Sequence, residues 1–402
     1  MKAVSRIMLT LLLTGMLTLA FEVQVVKAAG TVYIRADGSV DPSTAQILRV
    51  GSVYTLTGNI TSDGNGIVVE MDNIVVNGAG YTLEGTGAPY FNGIDLTRRS
   101  NITIKDMEIK AFSYGITLYS SDNNSIYGNN IANSDDWAID LKYSSNNTIS
   151  RNYITDNVDG IYLTRSANNS ISGNNIMNSR ELGIQLCVSS DDNRICKNNI
   201  ASNNIGIVLI GLTSSCNDNI ISANNITNNE DGILIDFSSN NIISGNNITN
   251  NEDGIDLSGD RNTISGNNFM NNENGVFLRQ SFNNSIWHNN FLNNYRQVYD
   301  EGDSKNFWDD GYPSGGNYWS DYNGTDADGD GIGDTPYVID ENNQDNNPLM
   351  EPWNPSWSAR VPVWTQWWFW RIVIAAIAAS AVAIYFWKKR KKPTPTVPPL
   401  PS

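Results

Sequence analysis

From about residue 59 to residue 299 the chain sets short apolar runs between blocks of asparagine, aspartate, serine and glycine, and the pattern repeats. A small residue, an isoleucine or valine, any residue and an aliphatic one recur as GIDL at Gly93, GITL at Gly115, AIDL at Ala138 and GIYL at Gly160. The series continues with GIQL at Gly183, GIVL at Gly206, GILI at Gly232, GIDL at Gly254 and GVFL at Gly275, successive copies standing 21 to 26 residues apart. Weaker copies stand at Gly66 and Arg296. Such a period marks a solenoid.

Inside one unit the apolar residues alternate over a few positions, as Ile149 and Ile154 and then Ile161 and Leu163, with turn-forming residues between them. That is strand periodicity with turn punctuation and not the 3.6-residue period of a helix. One unit has too few aliphatic side chains to bury a core alone, whereas coils stacked at ~4.8 Å make continuous inward columns. The prediction is an all-β chain: a right-handed parallel β-helix of about ten to eleven coils over residues 30–300. Leucine-rich repeats have a similar period, but their L-x-x-L-x-L signature is missing. Asn157, Asn178, Asn203, Asn229, Asn251 and Asn272 are expected to stack as one hydrogen-bonded amide ladder. The glycine before each apolar pair is expected to turn the chain at φ > 0.

The two ends have a different pattern. Lys2 and Arg6 precede the apolar run Ile7 to Ala20, and Val26-Lys27-Ala28 forms a small-residue cleavage site, so residues 1–28 read as a secretory signal peptide. Residues 367–387 are apolar enough to span a bilayer, have tryptophans at both borders and precede the basic cluster Lys388, Lys389, Arg390, Lys391 and Lys392. They predict a type I single-pass protein of the cell membrane, its bulk extracellular, with a basic, proline-rich cytoplasmic tail at 388–402. A cap over residues 301–352 and a linker over 353–366 complete the plan.

Composition narrows the partners. The formal charge is −16 although both ends are basic, so the exterior is strongly acidic. That argues against nucleic acid and favours cations and neutral glycans. Cys187, Cys196 and Cys216 are an odd number at different places in the repeat and define no disulfide framework. The sequons at Asn59, Asn101, Asn123, Asn146, Asn168, Asn225, Asn247, Asn283 and Asn323 are compatible with a glycosylated exterior.

The recurring N-N-x-I-x-G-N-N-I-x-N-N-x-x-G-I-x-L, from about Asn59 to Tyr299, resembles the repeats of NosD-type β-helix proteins, which are also grouped as carbohydrate-binding and sugar-hydrolase domains. The resemblance implies the parallel β-helix and a carbohydrate partner. The family takes its name from a periplasmic protein associated with copper delivery to nitrous oxide reductase. Here His288 is the single histidine, and Met71, Met107, Met177, Met270 and Met350 are scattered, so a copper site is not expected.

After the repeats, TDADGDGIGDTPY places Asp326, Asp328, Asp330, the carbonyl of Ile332 and Asp334 at alternate positions, with Gly331 at the turn. These are hard oxygen ligands spaced as at the start of an EF-hand loop, and they predict Ca²⁺. Tyr337 stands where a bidentate glutamate would close that loop. The segment resembles the calcium loops of dockerin-like and thrombospondin-type repeats. The aromatic segment before it, with Phe307, Trp308, Tyr312, Tyr318, Trp319 and Tyr322, reads as a cap on the last coil and as a stacking surface for sugars. It resembles segments that follow such β-helices in archaeal surface proteins, which implies an archaeal source.

On the strand carrying G-I-x-L, alternation points Asp95, Thr117 with Tyr119, Asp140 with Lys142, and Tyr162 outward on one ribbon. Tyr119, Asp140, Lys142 and Tyr162 are the candidate glycan-binding residues. Asp95 and Asp140 are two coils apart, roughly 9.6 Å by strand spacing, close to the upper end of the ~6.5–9.5 Å separation of an inverting glycosidase. They are the candidate catalytic pair if the chain is an enzyme. The reading is therefore a membrane-anchored protein that binds polysaccharide or surface glycan. A glycoside hydrolase or polysaccharide lyase, and a structural or adhesive envelope protein, are the alternatives.

Overall fold

The computed structural model describes residues 30–211 and 214–354. Each coil gives one strand to each of three sheets, as in Trp137–Lys142, Thr148–Ser150 and Tyr153–Thr155. The next coil pairs with it in parallel register, Ile139 with Ile161, Ile149 with Ile171 and Ile154 with Ile176. Neighbours in the first sheet are consecutive coils from Val32–Ile34 to Arg296–Asp300. The β-helix has about twelve turns, more than the ten to eleven expected. The extra turn lies at the start, where Val32 pairs with Ile67 without a G-I-x-L pattern to announce it.

The core consists of residues that repeat at one place in every coil. In the second sheet Ile126, Ile149, Ile171, Ile195, Ile221, Ile243 and Ile264 are fully buried, and in the first Leu118, Leu141, Leu163, Leu186 and Leu209 are too. Burying each such side chain stabilises by ~1.5–3 kcal/mol, an advantage open to a coil only when another coil covers it. β-Branched isoleucine suits this pleated, fully covered position.

The corners explain the repeated asparagine pairs. At Asn123, Asn146 and Asn168 the first residue of the pair takes a left-handed backbone, φ 60°, 58° and 57°. Asparagine adopts that region more readily than other residues with a side chain. The second residue, Asn124, Asn147 or Asn169, then turns inward and is buried. Its Oδ1 accepts from the backbone N–H of the preceding coil's equivalent, as from Asn124 to Asn147 at 2.8 Å and from Asn147 to Asn169 at 2.8 Å. A second ladder runs from Asn129 through Asn152, Asn174 and Asn198 to Asn289 and Asn317. The expected ladder is the third, and it includes Ser134 and Ser179 as well as Asn157, Asn203, Asn229, Asn251 and Asn272. Asn178 is not part of it: it is the left-handed residue, φ 57°, exposed beside the inward Ser179.

The repeat glycines also have a different role from the one expected. Gly232 and Gly254 lie in strands with ordinary φ, and a Cβ on either would stand 2.6 or 2.4 Å from the carbonyl oxygen of the next coil's glycine. Space between coils, and not a positive φ, requires glycine there.

Both ends of the helix are covered. A hairpin of Ile47–Val50 and Val53–Leu56 and the antiparallel strand Val40–Asp41 lie at the first coil. At the other end the inward isoleucine column of the third sheet becomes Phe269, Phe291 and Trp319, followed by Tyr337, with ring centroids 5.0, 4.3 and 4.2 Å apart. Two ladders end on cap residues: Asn343 Oδ1 accepts from Asn306 N–H and Trp308 Nε1, and Asp345 Oδ2 accepts from Asn317 N–H and Trp319 Nε1. Trp308 and Trp319 are thus buried at that end, whereas Phe307 and Tyr312 are exposed. No helix among the described residues is long and apolar enough to cross a membrane. The expected signal peptide, transmembrane segment and tail lie outside the described residues, as does the linker beyond residue 354.

Candidate functional site

The outward face of the first sheet brings three of the predicted residues together. Asp140 pairs in register with Tyr162, and Lys142 lies two residues after Asp140 on the same strand. Lys142 Nζ donates to Asp140 Oδ2 at 2.9 Å. Sequence alternation implied a solvated aspartate, yet Asp140 is only 2% exposed. Its covering consists of rings: Tyr114 stacks on Trp137 at 5.6 Å, and Trp137 on Tyr162 at 4.5 Å. Lys142 Nζ lies 4.4 Å from the Trp137 ring centre, so its charge is held by a carboxylate and by a π face.

Tyr162 is part of this pile. One face of its ring is occupied by Trp137, and its hydroxyl accepts from the Cys187 thiol at 3.2 Å. It builds the wall of the site with one ring face already taken. Tyr119 stands at the rim, opposite Lys142 in register and packed edgewise on Tyr143. Asp95 is left out: its carboxylate accepts the Thr97 N–H at 2.9 Å, and Thr117 separates it from Asp140 in register.

Alternation counted from Ile139 points Trp137 inward, so the sequence reading passed over it. Alternation breaks at Ala138, where Ala138 and Ile139 are both buried, and the same break at Gly115 and Gly160 of the neighbouring coils places Tyr114 and Asp159 beside Trp137 on the outer face. A column of Tyr, Trp and Asp immediately before the G-I or A-I step was the available signal.

The electrostatics are those of carboxyl groups placed in an apolar setting. Burial raises Asp140 above the usual carboxylate range against the pull of Lys142. Burial likewise raises Asp136, which Tyr114 hydrogen-bonds, and pushes Asp159 up to about 6 although the Leu182 N–H donates to it. Asp140 Oδ1 is buried with no hydrogen-bond partner. An acceptor left so costs about 1–3 kcal/mol, and because the atom has no exposed surface a ligand hydroxyl reaches it only when the covering rings move aside. Raised carboxyls beside one cation can also act as acid and base.

In the cap, Asp326, Asp328 and Asp330 each turn an oxygen to within 4.8 Å of the others. Asp326 accepts from the N–H groups of Gly329, Asp330 and Gly331, and Gly331 has φ 90° as the turn requires. Asp334 accepts from the Ala327 N–H across the loop, so it braces the turn. The Ile332 residue is bridged to Leu349. The donor set is hard oxygen, suited to Ca²⁺.

The family described as Periplasmic copper-binding protein (NosD) matches residues 43–214 and 206–324. No curated protein matches the chain in sequence. Among solved structures the Dettilon tailspike protein is 16% identical, covers 67% of this chain and 59% of its own, and has a TM-score of 0.53. The A-module of mannuronan C-5 epimerase AlgE6 from Azotobacter vinelandii is 13% identical, with 63% and 86% covered and a TM-score of 0.47. The periplasmic alginate epimerase AlgG is 15% identical, with 65% and 68% covered and a TM-score of 0.42. These likenesses concern the fold.

Among the described residues, His288 and Cys216 are each engaged in the scaffold. His288 Nε2 lies 2.9 Å from the Ser314 carbonyl, with its ring stacked on Trp353 at 3.6 Å. Cys216 occupies a rung of the corner column that holds Ser190 and Ser238, fully buried, its thiol pushed up to about 12 by that burial. Among the described residues the one convergent group of three His, Cys, Asp or Glu is the aspartate triplet, too hard for copper.

Proposed function

Since the chain belongs to the NosD family of parallel β-helix proteins, we propose that it binds a polysaccharide or surface glycan at the Asp140 cluster. The observation that carries this reading is Asp140 itself, buried among three rings, paired once with Lys142 and holding one oxygen without a partner. A sugar hydroxyl donating to that oxygen as the covering rings open, with the apolar edge of the ring pile beside it, fits the chemistry of a saccharide. In this reading the β-helix stands outside the cell, anchored through residues 367–387 in an archaeal membrane, and the cap loop holds Ca²⁺ on Asp326, Asp328 and Asp330, with Ile332 and Asp334 completing the loop.

One observation favours a second reading, a glycoside hydrolase or lyase. Asp136, Asp140 and Asp159 are three carboxyls raised by burial within one cluster, the condition in which one carboxyl donates a proton while another accepts one. The pair Asp95 and Asp140 does not supply it, because Asp95 lies outside the cluster.

Incubating the full-length chain with neutral and acidic polysaccharides, followed by size-exclusion chromatography, separates the readings. Intact polymer that co-elutes with wild type and not with Asp140→Ala or Tyr162→Ala supports a binder. Shortened polymer, lost in Asp140→Ala, supports an enzyme. Neither effect in any polymer leaves a structural envelope protein.

A further inference from the structure

The same outward face carries a second cluster that repeats the plan of the first. Asp256 occupies the register position of Asp140 five coils farther on, through Tyr162, Gln185, Val208 and Leu234. Like Asp140 it is buried, 5% exposed, and paired with a cation: Arg279 Nε donates to Oδ1 at 2.8 Å, and Arg279 Nη2 lies 2.5 Å from Oδ2. Like Asp140 it faces an aromatic ring in register on the next coil, here Phe277, which stacks on Tyr299 at 5.3 Å. Asp253 stands beside Asp256 on its strand, one coil on from Asp231 in register, and accepts from Asn274 Nδ2 at 2.7 Å. Next to Arg279 a cavity of about 340 Å³ opens between Asp236, Phe237, Ser258, Gln280 and Glu301.

Resting on the reading of the Asp140 cluster as a glycan site, we propose that the Asp256 cluster and its cavity form a second saccharide subsite, and that one uncharged polysaccharide chain lies along the helix axis over both. Two observations choose that occupant. Both anchoring cations, Lys142 and Arg279, are already held by buried aspartates, and the ring of neighbours at the far cluster is acidic, with Asp231, Asp236, Asp253 and Glu301. A uronate or sulfate would meet like charge there, whereas hydroxyl donors meet acceptors. Between the clusters the column turns to Gln185, Val208 and Leu234, which carry no charge, Val208 itself being covered by its neighbours, so no desolvated charge lies beneath a chain that spans them. The clusters are about 24 Å apart at ~4.8 Å per coil, so only a chain of several sugars reaches both.

The test uses the full-length chain, a size-graded series of β-1,4-glucan and of mannan oligosaccharides, and alginate as the charged comparison, with affinity read by titration calorimetry. Phe237→Ala and Glu301→Gln change exposed walls of the cavity, and Trp137→Ala changes the first cluster. Affinity for neutral oligomers is expected to rise about a hundredfold once their length spans both clusters, as for linked binding sites. Phe237→Ala and Glu301→Gln should remove that rise and leave the binding of short oligomers at the Asp140 cluster, the part lost in Trp137→Ala, unchanged. Long oligomers that bind through Trp137 with no rise, or with a rise indifferent to both cavity variants, overturn the second subsite while leaving the first. Alginate bound more tightly than every neutral oligomer overturns the choice of occupant, and no saccharide binding at all overturns the underlying glycan reading.

Discussion

The backbone N–H and the side-chain Nδ2 of Asn229 both donate to one oxygen, Oδ1 of Asn251 in the next coil, at 2.9 and 3.1 Å. Asn251 repeats the arrangement onto Asn272 at 2.9 and 3.1 Å. Each rung therefore satisfies a backbone group of the coil before it, and the corner depends on the amide and not on packing alone.

Replacing Asn251 by alanine leaves the buried Asn229 N–H without its acceptor and should cost about 2–4 kcal/mol. Asn250, the exposed left-handed residue beside it with φ 57°, should accept glycine with a change within about 0.5 kcal/mol. Urea unfolding followed by circular dichroism compares the two. Equal losses would remove the assigned division of labour within the pair.

The Asp140 and Lys142 pair gives a charge test. Lys142→Met strands a buried carboxylate and should destabilise by about 3 kcal/mol or more at neutral pH, with part of the loss recovered as the pH falls and Asp140, already raised by burial, takes up a proton. Asp140→Asn should fold with a loss under about 1.5 kcal/mol and weaken glycan affinity roughly tenfold. A variant Asp140→Asn with wild-type affinity contradicts the proposed role.

Stability should depend on pH in an uncommon direction. Burial pushes Asp159 and Asp256 up to about 6 and Asp231 and Asp345 up to about 7. With folded values above the unfolded one, the native state binds the extra protons, so the stability they contribute is full below pH about 4 and is lost as pH rises through 6 to 7. Asp309 works the other way, lowered by the amides of Asn346 and Asn347 against the cost of its burial, and loses its contribution in stronger acid. A thermal midpoint highest near pH about 4–5 and falling toward neutrality is expected, with Asp345→Asn reducing the slope.

For the cap loop, EDTA should lower the thermal midpoint by about 2 °C or more, and added Ca²⁺ should restore it. Asp328→Ala should abolish the response. Asp328 is the useful probe because Asp326 also holds the turn through three N–H groups, so its loss would disturb the loop without any ion.

The fold was legible because its signals are local and repeated: isoleucine every coil, asparagine pairs at every corner and a small residue before each apolar step. A repeat that cannot bury its own face has one way to do so, stacking, and the period therefore determined the parallel β-helix and its inward columns. The acidic loop and the aromatic segment stand out in the sequence for the same reason, since their residues are neighbours in the chain. Tertiary structure decided what depends on contacts between coils. It decided which residue of each pair turns inward, so that Ser179 and not Asn178 stands in the ladder, joined to Asn203 through its backbone N–H alone. It decided that Gly232 is there for the approach of Gly254 and not for a turn. Above all it made the site: the break in alternation at Ala138 places Trp137 on the outer face, ring neighbours from three coils cover Asp140, and Asp256 comes into the same column five coils away. Burial and register are properties of stacked coils, and no single coil contains them.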